Sequence, residues 1–279
     1  MRLKIFNCHH QEPPHTLNTN LFATLVSGFA SPPDQRFMGD LDGSNIADQL
    51  EHSEMRQQYH VWRDHLWKYD YVGFEHYRRL FCLDPLPGSE IAAAYPAWKA
   101  VRRHFLSDQS ASRYDLSSAG FETYLDMRRN FDGDATLRLT RWIGAHDVII
   151  LRPIHTDPID TQWATTHMAE FWPILVGSVQ TSSYFSHRTI DIDFAMNQPA
   201  YCNMYILRAE IFDDYMKFWH EAVQYIASHI TVYPRLVGHF AERLFNFYLM
   251  QKRMEDPLLK VGRLPYLFLN TDLDALEAA

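Results

Sequence analysis

The chain has 279 residues, of which 47% are hydrophobic, enough for one large domain with a sizeable core. Its formal net charge of −8 argues against a nucleic-acid partner, because proteins that grip phosphates usually carry a basic excess. The cysteines, Cys8, Cys82 and Cys202, form no CxxC pair, so neither a zinc site nor a disulfide framework is indicated and a reducing compartment is favoured.

The first residues lack the apolar stretch of a signal peptide, and no apolar run is long enough to span a bilayer. We therefore expect a cytoplasmic protein. Peripheral association with the inner face of the membrane and the oligomeric state are both left open.

In the first third of the chain, short apolar runs alternate with one helical pattern. Residues 3–8 and 71–74 are predicted strands, and residues 21–29 fit a helix or a strand followed by a turn. Aromatic residues spaced three and four apart predict a helix over residues 46–69.

The remainder continues this alternation. Helices are predicted over residues 91–105, 121–131, 135–143, 160–176 with an interruption near Pro173, 209–226 and 238–254. Strands are predicted over residues 146–153, 201–207 and 265–269, and loops over 107–118 and 182–197. We expect one domain over residues 1–270 and a frayed tail over 271–279.

Strands that alternate with helices predict an α/β fold with a mostly parallel sheet. In such sheets ligands bind at the carboxyl ends of the strands. Polar clusters follow the predicted strands at His9, Phe74 and Leu151, so these clusters are expected to meet at one crevice.

The densest polar cluster is Glu75-His76-Tyr77-Arg78-Arg79. If the strand continued, side chains would alternate between its two faces, with Glu75, Tyr77 and Arg79 on one of them. Adjacent guanidinium groups match phosphate oxygens and can neutralise a diphosphate. A salt-bridged sheet end would look the same, and the residues alone do not choose.

Two further clusters contain paired carboxylates. Asp40, Asp42 and Asn45 lie in a glycine-flanked loop and could bind a metal or sugar hydroxyls, although a plain turn with a helix cap is favoured. Asp191 and Asp193 share a face if their segment is extended, so one could act as a general base or both could hold a metal. An exposed edge strand is equally compatible with the second pair.

A fourth candidate is Glu242-Arg243, a charged pair within an apolar helix. Such charges are either structural ion pairs or face a functional cleft, and both remain open. The fifteen histidines include no HExxH, which disfavours a zinc hydrolase, and GxGxxG, P-loop and GxSxG motifs are also missing.

These segments together resemble one family, the bacterial capsular-polysaccharide and exopolysaccharide biosynthesis proteins, first catalogued as a domain of unknown function and now regarded as glycosyltransferases. The most specific matches are the His-Tyr-Arg-Arg segment at 76–79 and the Ala-Glu-Arg-Leu-Phe segment at 241–245. Order and approximate spacing hold from about His9 to Leu249. The sequence departs from the family pattern at His10 and Glu75.

The resemblance implies a GT-A-like fold with a helical C-terminal part, a nucleotide-sugar donor and a glycan acceptor. UDP and galactose are the candidate nucleotide and sugar. In many GT-A enzymes an Asp-x-Asp motif holds a divalent metal on the diphosphate. Here its place falls to residues 75–78, which suggests that His76, Arg78 and Arg79 replace some or all of the charge of Mn²⁺ or Mg²⁺.

The same resemblance assigns expected roles to the other candidates. His9 and Asp40 would lie near the nucleotide, and Asp42 and Asn45 near the ribose or sugar. The donor site would also include Glu75, Asn203 and Arg243. An inverting mechanism would take its base from Asp191, Asp193 or Glu242, whereas a retaining mechanism needs no base at that place.

Two other functions compete with sugar transfer. A non-catalytic glycan-binding or assembly subunit of a polysaccharide pathway would show no affinity for nucleotides. A hydrolase using paired carboxylates would release free sugar without an acceptor.

Overall fold

The computed structural model describes residues 1–83, 96–102, 110–131, 133–154, 157–186, 200–231 and 235–277. The strands are β1 (Leu3–His9), β2 (Phe22–Val26), β3 (Met38–Gly39), β4 (Tyr71–His76), β5 (Arg79–Phe81), β6 (Arg113–Leu116), β7 (Val148–Leu151), β8 (Tyr205–Arg208), β9 (Val261–Leu264) and β10 (Tyr266–Leu269).

The α-helices are α1 (Met55–His60), α2 (Pro96–Arg102), α3 (Ser118–Arg129), α4 (Gly133–Gly144), α5 (Ile159–Thr166), α6 (Trp172–Thr181), α7 (Ser183–Ser186), α8 (Ala209–His229), α9 (Leu236–Glu255) and α10 (Asp272–Glu277). Short 3₁₀ turns occur at Asp40–Asp42, Leu50–His52, Leu66–Lys68 and Ala169–Phe171, and Val61–His65 forms a π-helical turn.

All ten strands belong to one sheet, and β4 lies at its centre. The order β3-β2-β1-β4 is parallel throughout; β8 joins β4 antiparallel and carries β7 and β9 beyond it. The carboxyl end of β4 turns into β5, which continues through β10 to β6. The predicted α/β fold with a mostly parallel sheet flanked by helices is confirmed.

Two apolar cores lie on opposite faces of the sheet, because successive strand side chains alternate between the faces. Phe6 and Phe74 belong to the core that packs against α8 and α9. Ile5 and Tyr71 belong to the core that packs against α3 and α4. The sheet is therefore covered on both faces.

Several sequence predictions differ from the structure in detail. The helix predicted over residues 46–69 is instead four short helical turns, and α5 and α6 are separated by a 3₁₀ turn, with Pro173 in the first turn of α6. The predicted loop 107–118 contains β6, whose buried Tyr114 and Leu116 alternate with exposed residues. That alternation of two apolar residues was too short to stand out from its polar surroundings.

The C-terminal tail forms the short helix α10. The backbone N–H and hydroxyl of Ser118 donate to the carboxylate of Asp274, at 2.7 and 2.6 Å. Among the described residues, no helix has the length and apolar character needed to cross a bilayer.

Candidate functional site

A cleft of about 440 Å³ opens at the carboxyl ends of β1 and β4. It is lined by the end of β1, by the β4–β5 hairpin, by the residue before α9, and by Leu50, Ser53, Glu54, Arg56 and Gln57. Within the described part of the chain, the charged and histidine side chains that line it are Arg56, Arg78, Arg79, Arg235, His9, His10, His76 and Glu54. The cleft therefore presents a strong excess of cationic groups to a ligand.

The β4–β5 hairpin brings the His-Tyr-Arg-Arg segment to the cleft. β4 ends at His76, which pairs with Arg79 at the start of β5, so Tyr77 and Arg78 form a two-residue turn. The backbone N–H of Tyr77 donates to the carbonyl of Cys8 at 3.0 Å, which fixes the turn to the end of β1. Because the strand does not continue past His76, the expected alternation of faces does not apply, and residues 76–79 all line the cleft.

An aromatic ring supports the two arginines of the hairpin. The guanidinium carbons of Arg78 and Arg79 lie 5.0 and 5.4 Å from the ring centre of Phe268, and that of Arg113 lies 4.0 Å from it. Arg113 is neutralised by Asp115, at 2.6 Å. No carboxylate of the described residues pairs with Arg78 or Arg79, so their hydrogen-bond donors are available to an anionic ligand.

His9 is held at the end of β1 by its backbone. Its carbonyl accepts hydrogen bonds from the side-chain amide of Gln57 at 2.7 Å and from the N–H of Ser27 at 2.9 Å. Its ring contacts the side-chain oxygen of Asn7. Burial, followed by the neighbouring His10, lowers the pKa of His9 to about 4, so this imidazole is neutral at pH 7.

The depressed pKa of His9 predicts a pH-dependent stability. Between about pH 6.5 and 4 the unfolded chain binds a proton at this residue that the folded protein does not. Its contribution is therefore complete above pH 6.5 and is lost as the pH falls towards 4. Urea unfolding of His9→Gln and of the wild type at pH 7 and 5 should show a smaller loss of stability for the variant. An equal loss in both would contradict the prediction.

Glu75, expected in the donor site, does not line the cleft. Its carboxylate oxygens accept hydrogen bonds from the Arg128 guanidinium at 2.7 and 2.9 Å, and both side chains are fully buried. The N–H of Phe81 also donates to Glu75, at 2.6 Å. Since these bonds occupy its carboxylate on the far side of the sheet, we correct its expected role from donor binding to a structural ion pair.

The glycine-flanked loop does not reach the cleft either. Asp40 is fully buried and accepts hydrogen bonds from the Ser27 hydroxyl at 2.6 Å and the Gly28 N–H at 2.7 Å. Asp42 accepts from the N–H of Ser31, and the side chain of Asn45 bonds to the carbonyl of Gly43. These carboxylates and this amide therefore hold turns together, as the plain-turn interpretation predicts.

Asn203 does not line the cleft, but it bonds to Glu54, which does. Its side-chain amide donates to Glu54 at 2.6 Å and to the carbonyl of Gly238 at 3.2 Å. Glu242 accepts from the N–H of Cys202 at 3.0 Å and pairs with Arg243 at 2.7 Å. Asn203 and Glu242 thus organise the chain just before β8, at the same edge of the sheet as the cleft.

Arg243 is buried, and its guanidinium is occupied by contacts within the protein. It donates to the carbonyl of His239 at 3.0 Å, contacts Gln162 and His167, and packs against the rings of Trp163 and Tyr201. This arrangement matches the buried ion-pair interpretation of Glu242-Arg243. Asp191 and Asp193, the other candidates for the base, lie outside the described residues.

Sequence reasoning gave no role to the segment that precedes and begins α1. Glu54, Arg56 and Gln57 line the cleft, and burial lowers the pKa of Arg56 although Asp40 and Glu54 oppose that shift. Arg235, to which the sequence patterns assign no role, also lines the cleft and has a left-handed backbone, with φ of 73°. The segment 54–57 has three polar residues in four, a signal that was hidden within the aromatic helix pattern.

A metal site was left open by the sequence. Among the described residues, no group of three or more histidine, cysteine or acidic side chains is arranged to hold an ion. The described residues that line the cleft therefore do not form a metal site by themselves.

Comparisons with known proteins agree with this architecture. The model of a family described as a domain of unknown function, DUF4422, matches residues 4–253. No curated protein matches the chain. Among solved structures, the chain is similar to the apo structure of WbbM, a bifunctional glycosyltransferase, with a TM-score of 0.73 and 20% identity. The match covers 97% of this chain and 46% of that one, so the chain spans about half of its relative. This likeness supports the GT-A-like fold.

Proposed function

We propose that this chain, which belongs to the DUF4422 family, is a hexosyltransferase that moves a sugar from a UDP-linked donor to a glycan of the surface or capsular type. Galactose is the first sugar to test. The observation that carries the proposal is the cationic cleft at the carboxyl ends of β1 and β4. Its site in an α/β sheet and its charge both suit a nucleoside diphosphate.

In this proposal Arg78 and Arg79 bind the diphosphate, and His76 lies beside it. Bond cleavage places negative charge on the leaving UDP, and fixed cations stabilise that charge without reorganising. Phe268 helps to hold both guanidinium groups in place before the donor arrives. The cations then supply the charge that a divalent metal supplies in many enzymes with this fold.

Nucleotide binding tests the proposal directly. UDP at a hundred times its dissociation constant is expected to stabilise the protein by about 2.7 kcal/mol. Thermal unfolding with UDP should show the shift, and uridine, which lacks the phosphates, should shift the midpoint much less. GDP and CMP test the choice of nucleotide.

Excess EDTA distinguishes diphosphate binding by Arg78 and Arg79 (the cationic clamp) from binding through a metal ion. The UDP shift should persist in EDTA, because arginines provide the charge. Loss of the shift in EDTA and its return with Mn²⁺ or Mg²⁺ would overturn the clamp. No shift with any nucleotide would instead favour a glycan-binding subunit.

A further inference from the structure

Glu54 is the carboxylate that lines the cationic cleft within the described part of the chain. It immediately precedes α1, and its side chain is 19% exposed. Acids in such a setting usually pair with a neighbouring cation. The nearest is His76, whose Nε2 lies 3.9 Å from the Glu54 carboxylate, too far for a hydrogen bond.

The Glu54 carboxylate is nevertheless held firmly. The Asn203 side-chain amide donates to Oε1 at 2.6 Å, and no described residue bonds to Oε2. One oxygen is therefore fixed by the protein, while the second is available to a ligand in the cleft.

The backbone at Cys202 and Asn203, which positions the Asn203 side chain, has an uncommon conformation. Cys202 and Asn203 have φ of 72° and 47°, left-handed values that non-glycine residues rarely adopt. Glu242 accepts from the N–H of Cys202 at 3.0 Å, and the Gln58 side-chain amide donates to the Asn203 carbonyl at 3.0 Å. Strained backbone of this kind persists where its surroundings impose it, commonly beside functional groups. Here its result is to aim an amide at Glu54.

We infer that Glu54 is the general base for the acceptor, an inference that rests on the proposed function. The acceptor hydroxyl gives its proton to Oε2 of Glu54 as its oxygen bonds to the anomeric carbon of the donor. The bond from that carbon to the phosphate oxygen breaks, and its electron pair leaves on UDP beside Arg78 and Arg79. Direct displacement of this kind inverts the anomeric configuration.

The test compares Glu54→Gln with Glu51→Gln. Glutamine keeps an oxygen for Asn203 but cannot take a proton, so kcat should fall about 10²- to 10⁴-fold, the usual contribution of a general base. The dissociation constant for UDP should change less than threefold. Glu51, three residues earlier and outside the cleft lining, provides the same charge change and should leave both values near the wild type. The readout is UDP released from UDP-galactose, with and without a glycan acceptor.

A second variant, Glu54→Asp, distinguishes basicity from shape. Glu54→Asp keeps a carboxylate, whereas Glu54→Gln keeps only the size of the side chain. If Glu54 is a base, Glu54→Asp should retain more activity than Glu54→Gln. The opposite order would overturn the assignment, as would Glu54→Gln keeping more than a tenth of the wild-type kcat or a product that retains the donor configuration. If the wild type neither binds UDP nor releases it from the donor, the proposed function itself fails and the base fails with it.

Discussion

Replacing Arg128 by methionine is expected to lower the free energy of unfolding by about 3–5 kcal/mol, the usual cost of leaving a buried charge without its partner. Arg128 and Glu75 are both fully buried, and the guanidinium also donates to the carbonyl of Phe81 at 2.7 Å. Methionine fills much of the same volume, so the effect would report the lost charge more than a cavity.

The neighbouring Arg129 provides the matched control. Its side chain is 28% exposed and pairs with Asp126 at the surface, so Arg129→Met should cost less than about 1 kcal/mol. Urea unfolding followed by circular dichroism measures both variants. Equal and small losses would contradict the assignment of Glu75–Arg128 as a central structural pair.

Arg78→Met and Arg79→Met are each expected to lower kcat/KM about 10²- to 10³-fold, the range for removing one stabilising group from a developing charge. The guanidinium groups have no acidic partner among the described residues, so their removal should cost little stability. UDP release from UDP-galactose measures the rate, and calorimetric titration with UDP measures how much of the loss is in binding.

Arg113→Met is the control for this pair. Arg113 packs on the same Phe268 ring but is neutralised by Asp115 and does not line the cleft. Its replacement should leave kcat/KM within about threefold. Rates near the wild type in both hairpin variants would contradict the cationic clamp. A similar loss of kcat/KM in Arg113→Met would indicate that packing on the Phe268 ring, and not diphosphate binding, causes the effect.

The sequence predicted the fold well where apolar runs were continuous. β1, β4 and β7 and the long helices α8 and α9 were located within a few residues, because buried strands and amphipathic helices have strong periodic signals. The convergence of the segments after β1 and β4 followed from parallel pairing. The third expected cluster, which follows β7, does not line this cleft. Its Arg152 side chain donates to the carbonyl of Ala111 at 3.0 Å.

The side-chain partners in the site could not be predicted, because they depend on long-range packing. Glu75 and Arg128 are 53 residues apart, and Glu54 and Asn203 are 149 apart. Nothing local distinguishes the buried Glu75 from its neighbour His76, which lines the cleft. The two-residue turn after His76 was also missed, because Tyr77-Arg78 lacks the glycine or asparagine that usually marks such turns.

The hairpin joins two properties that proteins often keep separate. Glu75 helps to fix the core, whereas Arg78 and Arg79 face the proposed donor. Only two residues separate Glu75 from Arg78. A change at Glu75 is therefore expected to alter stability, and a change at Arg78 or Arg79 to alter anion affinity, within the same hairpin segment. Leu50, Ser53, Arg56 and Gln57 line the same cleft in and beside short helical turns. This second segment gives divergent relatives, or a designer, a place to change substrate preference while the hairpin stays constant.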